Sequence, residues 1–578
     1  MARSRPTRRS KPRRTSTGAF PLLVCEGLVL AIADRGQAPR EALLEAKRAL
    51  RETFGAKSAW RVTPLGQTVK EYLAAPPRPP HVLPLKTAWD QARRLSAHPL
   101  VTDAEPALRG PGIVPADPRA ALASGERARF GRRMPSPAKA FFGTAALSCS
   151  TASDWSLDTA RVKPAWDAFP ARGEGIRVGH PDTGYTHHDE IWSDDPARNR
   201  ILEGFDFVEG EPDPLDDLEG GLLEFPGHGT ATASVIMSDV GGPFSQFVRG
   251  VAPQALLAPL RVSRSVIHLS YGNLIQALDF AREHDHHVVS MSLGGPLPSG
   301  ALERAVGRAT RAGLILVAAA GNYWPSVTYP GALDDIVTVA ACNCVDGVWA
   351  FTSAGSEVDV AAPGESVWVA RSVHDGTPPF RVEQGSGSSF GTAMVAGIAA
   401  LWLSHHGRDA LIARYGRPGV PRVFRHLLVN SGVRTPPGWD ISQHGAGIVD
   451  AERLLGAPLP AAAPAPPARA VAATTSTRVV AAIRHAVPSV DEAVLRPALA
   501  RLLHIPEPNL DATLAEVGGE LAVHASIDPG LREALRAASR PMPEAGAKRR
   551  PRARAGARPS PQLERTASAR LLGLMRPR

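Results

Sequence analysis

Apolar residues recur along this 578-residue chain in two rhythms, and the changes of rhythm divide it into blocks. "LLVCEGLVLAIA" (22–33) is an almost unbroken apolar run and predicts a strand. "APREALLEAKRALRETFG" (38–55) places apolar residues at helical spacing and closes on Gly55. "AWRVTPLG" (59–66) reads as strand, "LKTAWDQARRLSAH" (85–98) as a second amphipathic helix and "LVTDAEPAL" (100–108) as a last strand. Residues 19–108 therefore predict a small α+β domain. Residues 109–150 hold Pro, Gly, Ala and Arg with little periodicity and read as a linker or processing region. Over 151–456 apolar strands alternate with helical stretches, the pattern of a parallel sheet covered by helices. A Pro/Ala linker follows at 457–475, then a small helical module at 476–540 that contains "DEAVLRPALARLLHI". No internal repeat is visible.

Charge sharpens the ends of this picture. Net charge is +10, but residues 1–20 hold seven Lys/Arg and no acid, and residues 541–578 hold ten Lys/Arg against Glu544 and Glu564. The rest of the chain is acidic, so the basic balance belongs to the tails, read at 1–18 and 541–578 as solvated and disordered. That argues against nucleic acid as a partner of the folded body. Four cysteines, Cys25, Cys149, Cys342 and Cys344, follow no zinc spacing, and Cys342 and Cys344 are poor partners for each other, so a disulfide scaffold is not expected. No apolar run is long enough to span a membrane. Arg13-Arg14 followed by "AFPLLVCEGLVLAIAD" imitates a secretory signal ending in an A-x-A pattern, although Glu26 interrupts its core. The chain is thus secreted or periplasmic if residues 14–33 act as a signal and cytoplasmic otherwise. Oligomeric state is not legible.

The candidate chemistry sits at strand ends and helix starts. "GIRVGHPDTGY" (175–185) is an apolar segment stopping at Asp182, with a strand end expected at His180-Pro181 because proline lacks a ladder donor. "EFPGHGTATASVIM" (224–237) sets His228 between two glycines at the head of a helix. "GLILVAAAGNYW" (313–324) is a buried strand presenting Asn322, a suitable oxyanion donor. "EQGSGSSFGTAMVAGIAALW" (383–402) places Ser389 before a long apolar helix whose N-terminal N–H groups favour an anion. Gly387-Ser388-Ser389-Phe390-Gly391 also reads literally as G-x-S-x-G, the elbow of an α/β-hydrolase. The order Asp182, His228, Ser389 differs from the α/β-hydrolase order and is that of subtilisin.

With these residues in hand, 151–456 resembles the catalytic domain of the subtilisin-like serine proteases, the subtilases. "DWSLDTARVKPAW" resembles the entry to that domain, "HHVVSMSLGGPLPSG" its substrate cleft, "VAAAGN" its oxyanion strand, "VTYPGALDDIVTVAA" its Tyr-Pro segment and "VDVAAPGESVW" the stretch before the nucleophile. The resemblance implies a parallel sheet flanked by helices, a polypeptide substrate and no cofactor for the chemistry. It implies a triad of Asp182, His228 and Ser389, Asn322 as oxyanion donor, and Ser292, Leu293, Gly294 and Thr328 lining the primary pocket. An extended substrate would pair with backbone near "HLSYGN" and Ser292–Gly294. With no acidic residue at the pocket base, an apolar or broad preference is expected. The N-terminal domain resembles the inhibitory propeptide of the family, which makes it an intramolecular partner. Structural calcium at Asp189 or Glu190, in "HHDEI", is a weaker implication, and "EHDHH" (283–287) reads as a solvated turn rather than a metal site. Ala393 stands where the family has proline, which leaves the reacting groups untouched. A sedolisin-type site would need Glu in place of His228 and Asp in place of Asn322. A lipase-type esterase would need its acid and histidine after the serine, and an HGGG-type motif is absent. A catalytically impaired binding protein on the same fold is the remaining alternative.

Overall fold

The computed structural model describes residues 24–55, 58–76, 82–109, 152–219, 224–239, 247–465 without 269, 325 and 375–378, 475–539 without 488–489, and 559–576. The basic tail at 1–18, nearly all of the 109–150 linker and positions 466–474 of the Pro/Ala linker fall outside these.

The N-terminal domain is a four-stranded antiparallel sheet in the order β2-β3-β1-β4. Its strands are β1 (Val24–Ile32), β2 (Arg61–Pro64), β3 (Glu71–Ala75) and β4 (Val101–Arg109), with helices α1 (Pro39–Phe54) and α2 (Leu85–Ser96). Strand β3 escapes sequence reading because "EYLAA" is buried on both faces and shows no alternation. The apolar run of β1, which predicts its strand, is likewise covered on both faces. Leu28, Leu30 and Ile32 meet Ala42, Ala46 and Leu50 of α1 and Ala92 and Leu95 of α2, whereas Val29 points the other way into a core shared with the catalytic block.

That block is built on a nine-stranded sheet in the order β14-β15-β11-β10-β9-β8-β5-β7-β6. The strands are β5 (Arg177–Asp182), β6 (Phe205–Asp206), β7 (Leu256–Arg261), β8 (Val288–Met291), β9 (Ile315–Ala319), β10 (Val337–Cys342), β11 (Val360–Pro363), β14 (Val433–Arg434) and β15 (Ile448–Val449). All neighbours run parallel except β14 and β15. A separate hairpin joins β12 (Val367–Ser372) to β13 (Phe380–Gly385). Four helices matter for the site: α3 (His228–Met237), α4 (Gly272–Glu283), α5 (Gly300–Arg311) and α6 (Ser388–His406). Helix α6 is buried from Ser388 to Leu403 and packs with α3 and the strands in the largest core.

Two local expectations change. Strand β5 does not stop at His180-Pro181 but pairs with β7 through Asp182↔Arg261. Its pairing with β8 covers only Val178 and Gly179, so Pro181 lies where only one neighbour remains. In "EHDHH", His286 and His287 are buried rather than solvated, with His286 Nδ1 bonded to the Ala281 carbonyl at 3.0 Å.

The C-terminal module comprises α7 (Thr475–Ala486), α8 (Glu492–Leu502), α9 (Leu510–Ile527) and α10 (Pro529–Ala538). Its core extends beyond residue 540. Residues 561–574, read as disordered tail, form α11 (Pro561–Thr566) and α12 (Ala569–Leu574), because Leu563, Leu571 and Leu572 give that stretch a face that packs on the module.

Candidate active site

Strands β9, β8 and β5 are neighbours. Their carboxyl ends therefore bring Asn322, Ser292 and Asp182 into one row, where groups of an open α/β sheet converge. Asp182 is the last residue of β5 and is buried. Its Oδ1 accepts from His228 Nδ1 at 2.6 Å and from the Thr183 N–H at 2.8 Å. Burial alone would raise the Asp182 carboxyl, yet His228, His180 and the Thr183 N–H outweigh it and hold the group below its ordinary value. The aspartate therefore stays ionised and fixes the imidazole with Nδ1 protonated and Nε2 available as base.

His228 opens α3 after Gly227, whose φ is +74°. The next residue must be glycine, because a Cβ on Gly229 would lie 1.9 Å from the Gly184 carbonyl oxygen. This close approach docks the helix start against the loop after Asp182.

Ser389 lies in the first turn of α6. In this state its hydroxyl donates to the Ser292 carbonyl at 3.2 Å, while Ser292 Oγ donates to the Ser389 carbonyl at 2.9 Å. The reciprocal pair locks the end of β8 to the head of α6. Asn322 Oδ1 accepts from the Ser388 N–H at 2.9 Å and from Ser388 Oγ at 2.8 Å. A backbone N–H needs an acceptor, so the atom facing it is the oxygen, and the Nδ2 end is left to serve as a donor. Sequence reading took Ser388 only as a neighbour of the nucleophile; here it orients the carboxamide. The signal was faint, a hydroxyl at a helix start.

Thr328 is buried and bonds the Ala320 carbonyl through its N–H at 2.9 Å. It lies against the cleft strand: a Cβ on Gly294 would meet Thr328 Oγ1 at 2.9 Å and the Tyr329 carbonyl oxygen at 2.6 Å. Ser292, Leu293, Gly294 and Thr328 are thus brought together. The substrate edge differs from expectation. The Gly294 N–H donates to the Val266 carbonyl at 2.9 Å, and the His268 N–H donates to the Gly294 carbonyl at 2.8 Å. The two edges expected to flank a substrate are paired with each other.

His180 lies beside the aspartate, fully buried, with Nε2 3.0 Å from Thr232 Oγ1. Thr232 Oγ1 in turn donates to Asp182 Oδ2 at 3.4 Å. Burial pushes the His180 imidazole down to about 4, so it is neutral at physiological pH. At the calcium candidates, Glu190 is buried and accepts from Ser238 Oγ and from the Val248 N–H. Among the described residues no group of three or more His, Cys, Asp or Glu side chains could hold a metal ion. Cys344 is disulfide-bonded, while Cys25 and Cys342 are buried free thiols.

An ionised aspartate bonded to a histidine, a serine at a helix start and a carboxamide held from its oxygen side are the parts of a serine-hydrolase site, here on a mostly parallel sheet. The family described as "Subtilase family" matches residues 173–447. Over 251 residues the chain is 33% identical to M-protease of Shouchella clausii, a match that covers 43% of this chain and 58% of that protein. It is 33% identical over 251 residues to Subtilisin Savinase of Lederbergia lenta, covering 43% of this chain and 82% of that protein. The fold is similar to that of fervidolysin from Fervidobacterium pennivorans, a keratinolytic enzyme related to subtilisin, with a TM-score of 0.53 and 20% identity, over 78% of this chain and 63% of the other. The chain belongs to the subtilase family of serine-type endopeptidases, whose catalysis needs no cofactor.

Proposed function

We propose that this chain hydrolyses peptide bonds through an acyl-enzyme. Ser389 Oγ turns from the Ser292 carbonyl and attacks the scissile carbonyl carbon, passing its proton to His228 Nε2. Asp182 stabilises the imidazolium. The oxyanion is met by Asn322 Nδ2 and the Ser389 N–H. His228 then protonates the departing amine, and water, deprotonated by the same histidine, releases the acid and restores Ser389. The observation that carries this reading is the 2.6 Å bond between Asp182 and His228 at the edge where Ser389 and Asn322 converge. Hydrolysis of an unfolded protein, lost in Ser389→Ala with unchanged thermal stability, tests it; retained hydrolysis contradicts it.

None of Ser292, Leu293, Gly294 and Thr328 is acidic, which supports an apolar or broad preference at the primary pocket. An extended substrate pairs with Gly294 only after residues 266–268 give way. Calcium at Asp189 or Glu190 gains no support: the Glu190 carboxylate accepts from Ser238 and Val248, and among the described residues neither belongs to a cluster of three or more ligands.

The N-terminal domain acts in this reading as an intramolecular inhibitor. Its sheet lies on α4 and α5, where Val29, Leu65 and Val69 join Leu274, Leu278 and Leu302. Glu71 pairs with Arg304 and Arg308, and Asp103 with Arg304 at 2.8 Å. Glu105 takes the N-terminus of α5, accepting from Ser299 Oγ at 2.6 Å and from the Gly300 N–H at 3.3 Å. Ser299 lies five residues beyond the Gly294 edge, so β4 approaches the flank of the cleft. The disulfide at Cys344 supports maturation in an oxidising compartment. Removal of residues up to Ala33 would delete β1, the strand paired with both β3 and β4, so residues 24–32 serve the fold.

A further inference from the structure

The C-terminal module does not pack as a separate bundle. Its core takes in Cys25, Leu85, Ala88 and Leu108 of the N-terminal domain and Leu297 of the catalytic block. Helix α2 faces two ways: Ala92 and Leu95 point to its own domain, Leu85 and Ala88 to the module.

The polar contacts are equally specific. Glu520 of α9 is buried and binds Arg93 of α2; it also accepts from the Ser568 N–H at 2.6 Å and from Ser568 Oγ at 2.9 Å. Lys86 Nζ donates to the Ala567 carbonyl at 3.1 Å, and the Ala569 N–H to Asp90 at 3.1 Å. The module also reaches the catalytic block. Arg478 binds Glu303 of α5 at 2.6 Å, Ser326 Oγ lies 3.1 Å from His485 Nε2, and Trp324 meets the His485 ring edge-on at 5.2 Å. Ser326 is two residues from Thr328, so this anchor lies beside the primary pocket.

We propose that the C-terminal module is a clamp for the N-terminal domain. With α4 and α5 it forms a two-sided socket that keeps residues 24–109 seated after the connecting chain is cut. The proposal rests on the reading of that domain as an inhibitor. Two physical features carry it. The module is tethered to the catalytic block, so its grip on α2 adds to the grip of α4 and α5 at high effective concentration. It also cannot let go cheaply: departure of the domain removes Arg93 from a carboxylate that has no exposure and strips Leu85, Ala88 and Leu108 from the apolar core. Release of the active cleft then requires that the module be displaced as well, and a cut in the Pro/Ala linker at 457–475 would remove its covalent tether.

The test uses the full chain carrying Ser389→Ala to stop self-cleavage and a site-specific protease sequence within residues 120–140. After that one cut, the departure rate of the N-terminal domain is followed by size-exclusion chromatography or fluorescence. The clamp predicts that Glu520→Ala speeds departure about 10-fold or more. Arg93→Met should do the same, and the double variant should depart no faster than the quicker single one, because both break one contact. Departure of the Glu520→Ala chain at the unmodified rate, whether or not its module stays helical, overturns the clamp. So does full additivity of the two substitutions. The inhibitor reading is judged separately, on the same cut chain with Ser389 intact, by fluorophosphonate labelling. Labelling that does not rise as the domain departs would retire inhibition and leave the departure rates to decide the clamp.

Discussion

Asn322 and Ser388 divide one task. In the proposed mechanism the carboxamide supplies the oxyanion donor, and Ser388 holds its oxygen from two sides, through N–H and Oγ. The two substitutions should therefore differ in size. Asn322→Ala is expected to lower kcat roughly 100- to 1000-fold with KM nearly unchanged, the cost of losing a preorganised donor. Ser388→Ala removes one of two bonds to the oxygen and should lower kcat about 10-fold, again with little change in KM. Steady-state kinetics on one peptide substrate checks both; an equal loss would mean that Ser388 does more than orient. That Asp182, His228, Asn322 and Ser389 lie at or beside the ends of elements was legible in the sequence, because each adjoins an apolar run that is local. The role of Ser388 was not, since it depends on which neighbour of the nucleophile meets a strand 66 residues upstream.

At the scale of elements, the cleft is closed by its own chain. Both backbone groups of Gly294 that could hold a substrate strand are taken by Val266 and His268. The Gly294 and His268 amides should therefore be protected from hydrogen exchange without substrate. A bound peptide inhibitor should leave Gly294 protected while the His268 amide loses its acceptor and exchanges faster. Exchange of His268 that is fast in the free protein would show that the cleft stands open. Periodicity predicted strands and helices where one face or a long apolar run dominates. It missed β3 because that strand is covered on both faces, and it placed the end of β5 too early because Pro181 costs a ladder bond only on the side where a neighbour remains. The helices at 561–574 were hidden by the basic residues around four leucines, a pattern that acquires meaning only against the module they cover.

For the whole molecule, buried histidines couple stability to acid. Burial pushes His180 and His286 down to about 4 and His485 to about 3, from an ordinary value of 6.5. The unfolded chain takes up these protons first as pH falls, so stability is full above about pH 6.5 and declines through pH 4. Each such group removes up to ~1.4 kcal/mol per pH unit within that window. Urea unfolding midpoints should fall steadily from pH 7 to pH 4.5, less steeply in His180→Leu; a flat profile would mean that these rings take up protons without unfolding. His485 belongs to the C-terminal module and bonds Ser326 of the catalytic block, so acid should loosen that anchor along with the core. None of this long-range assembly was visible in the sequence, where the module and the N-terminal domain lie more than 360 residues apart.

In the proposed mechanism Ser389 is a nucleophile activated by His228 and Asp182. Labelling by a fluorophosphonate, followed by mass spectrometry of the modified peptide, reads this activation at the residue itself. The prediction is covalent label on Ser389, absent in Ser389→Ala and strongly slowed in His228→Ala. Label on another serine, or equal labelling after Ser389→Ala, would contradict it.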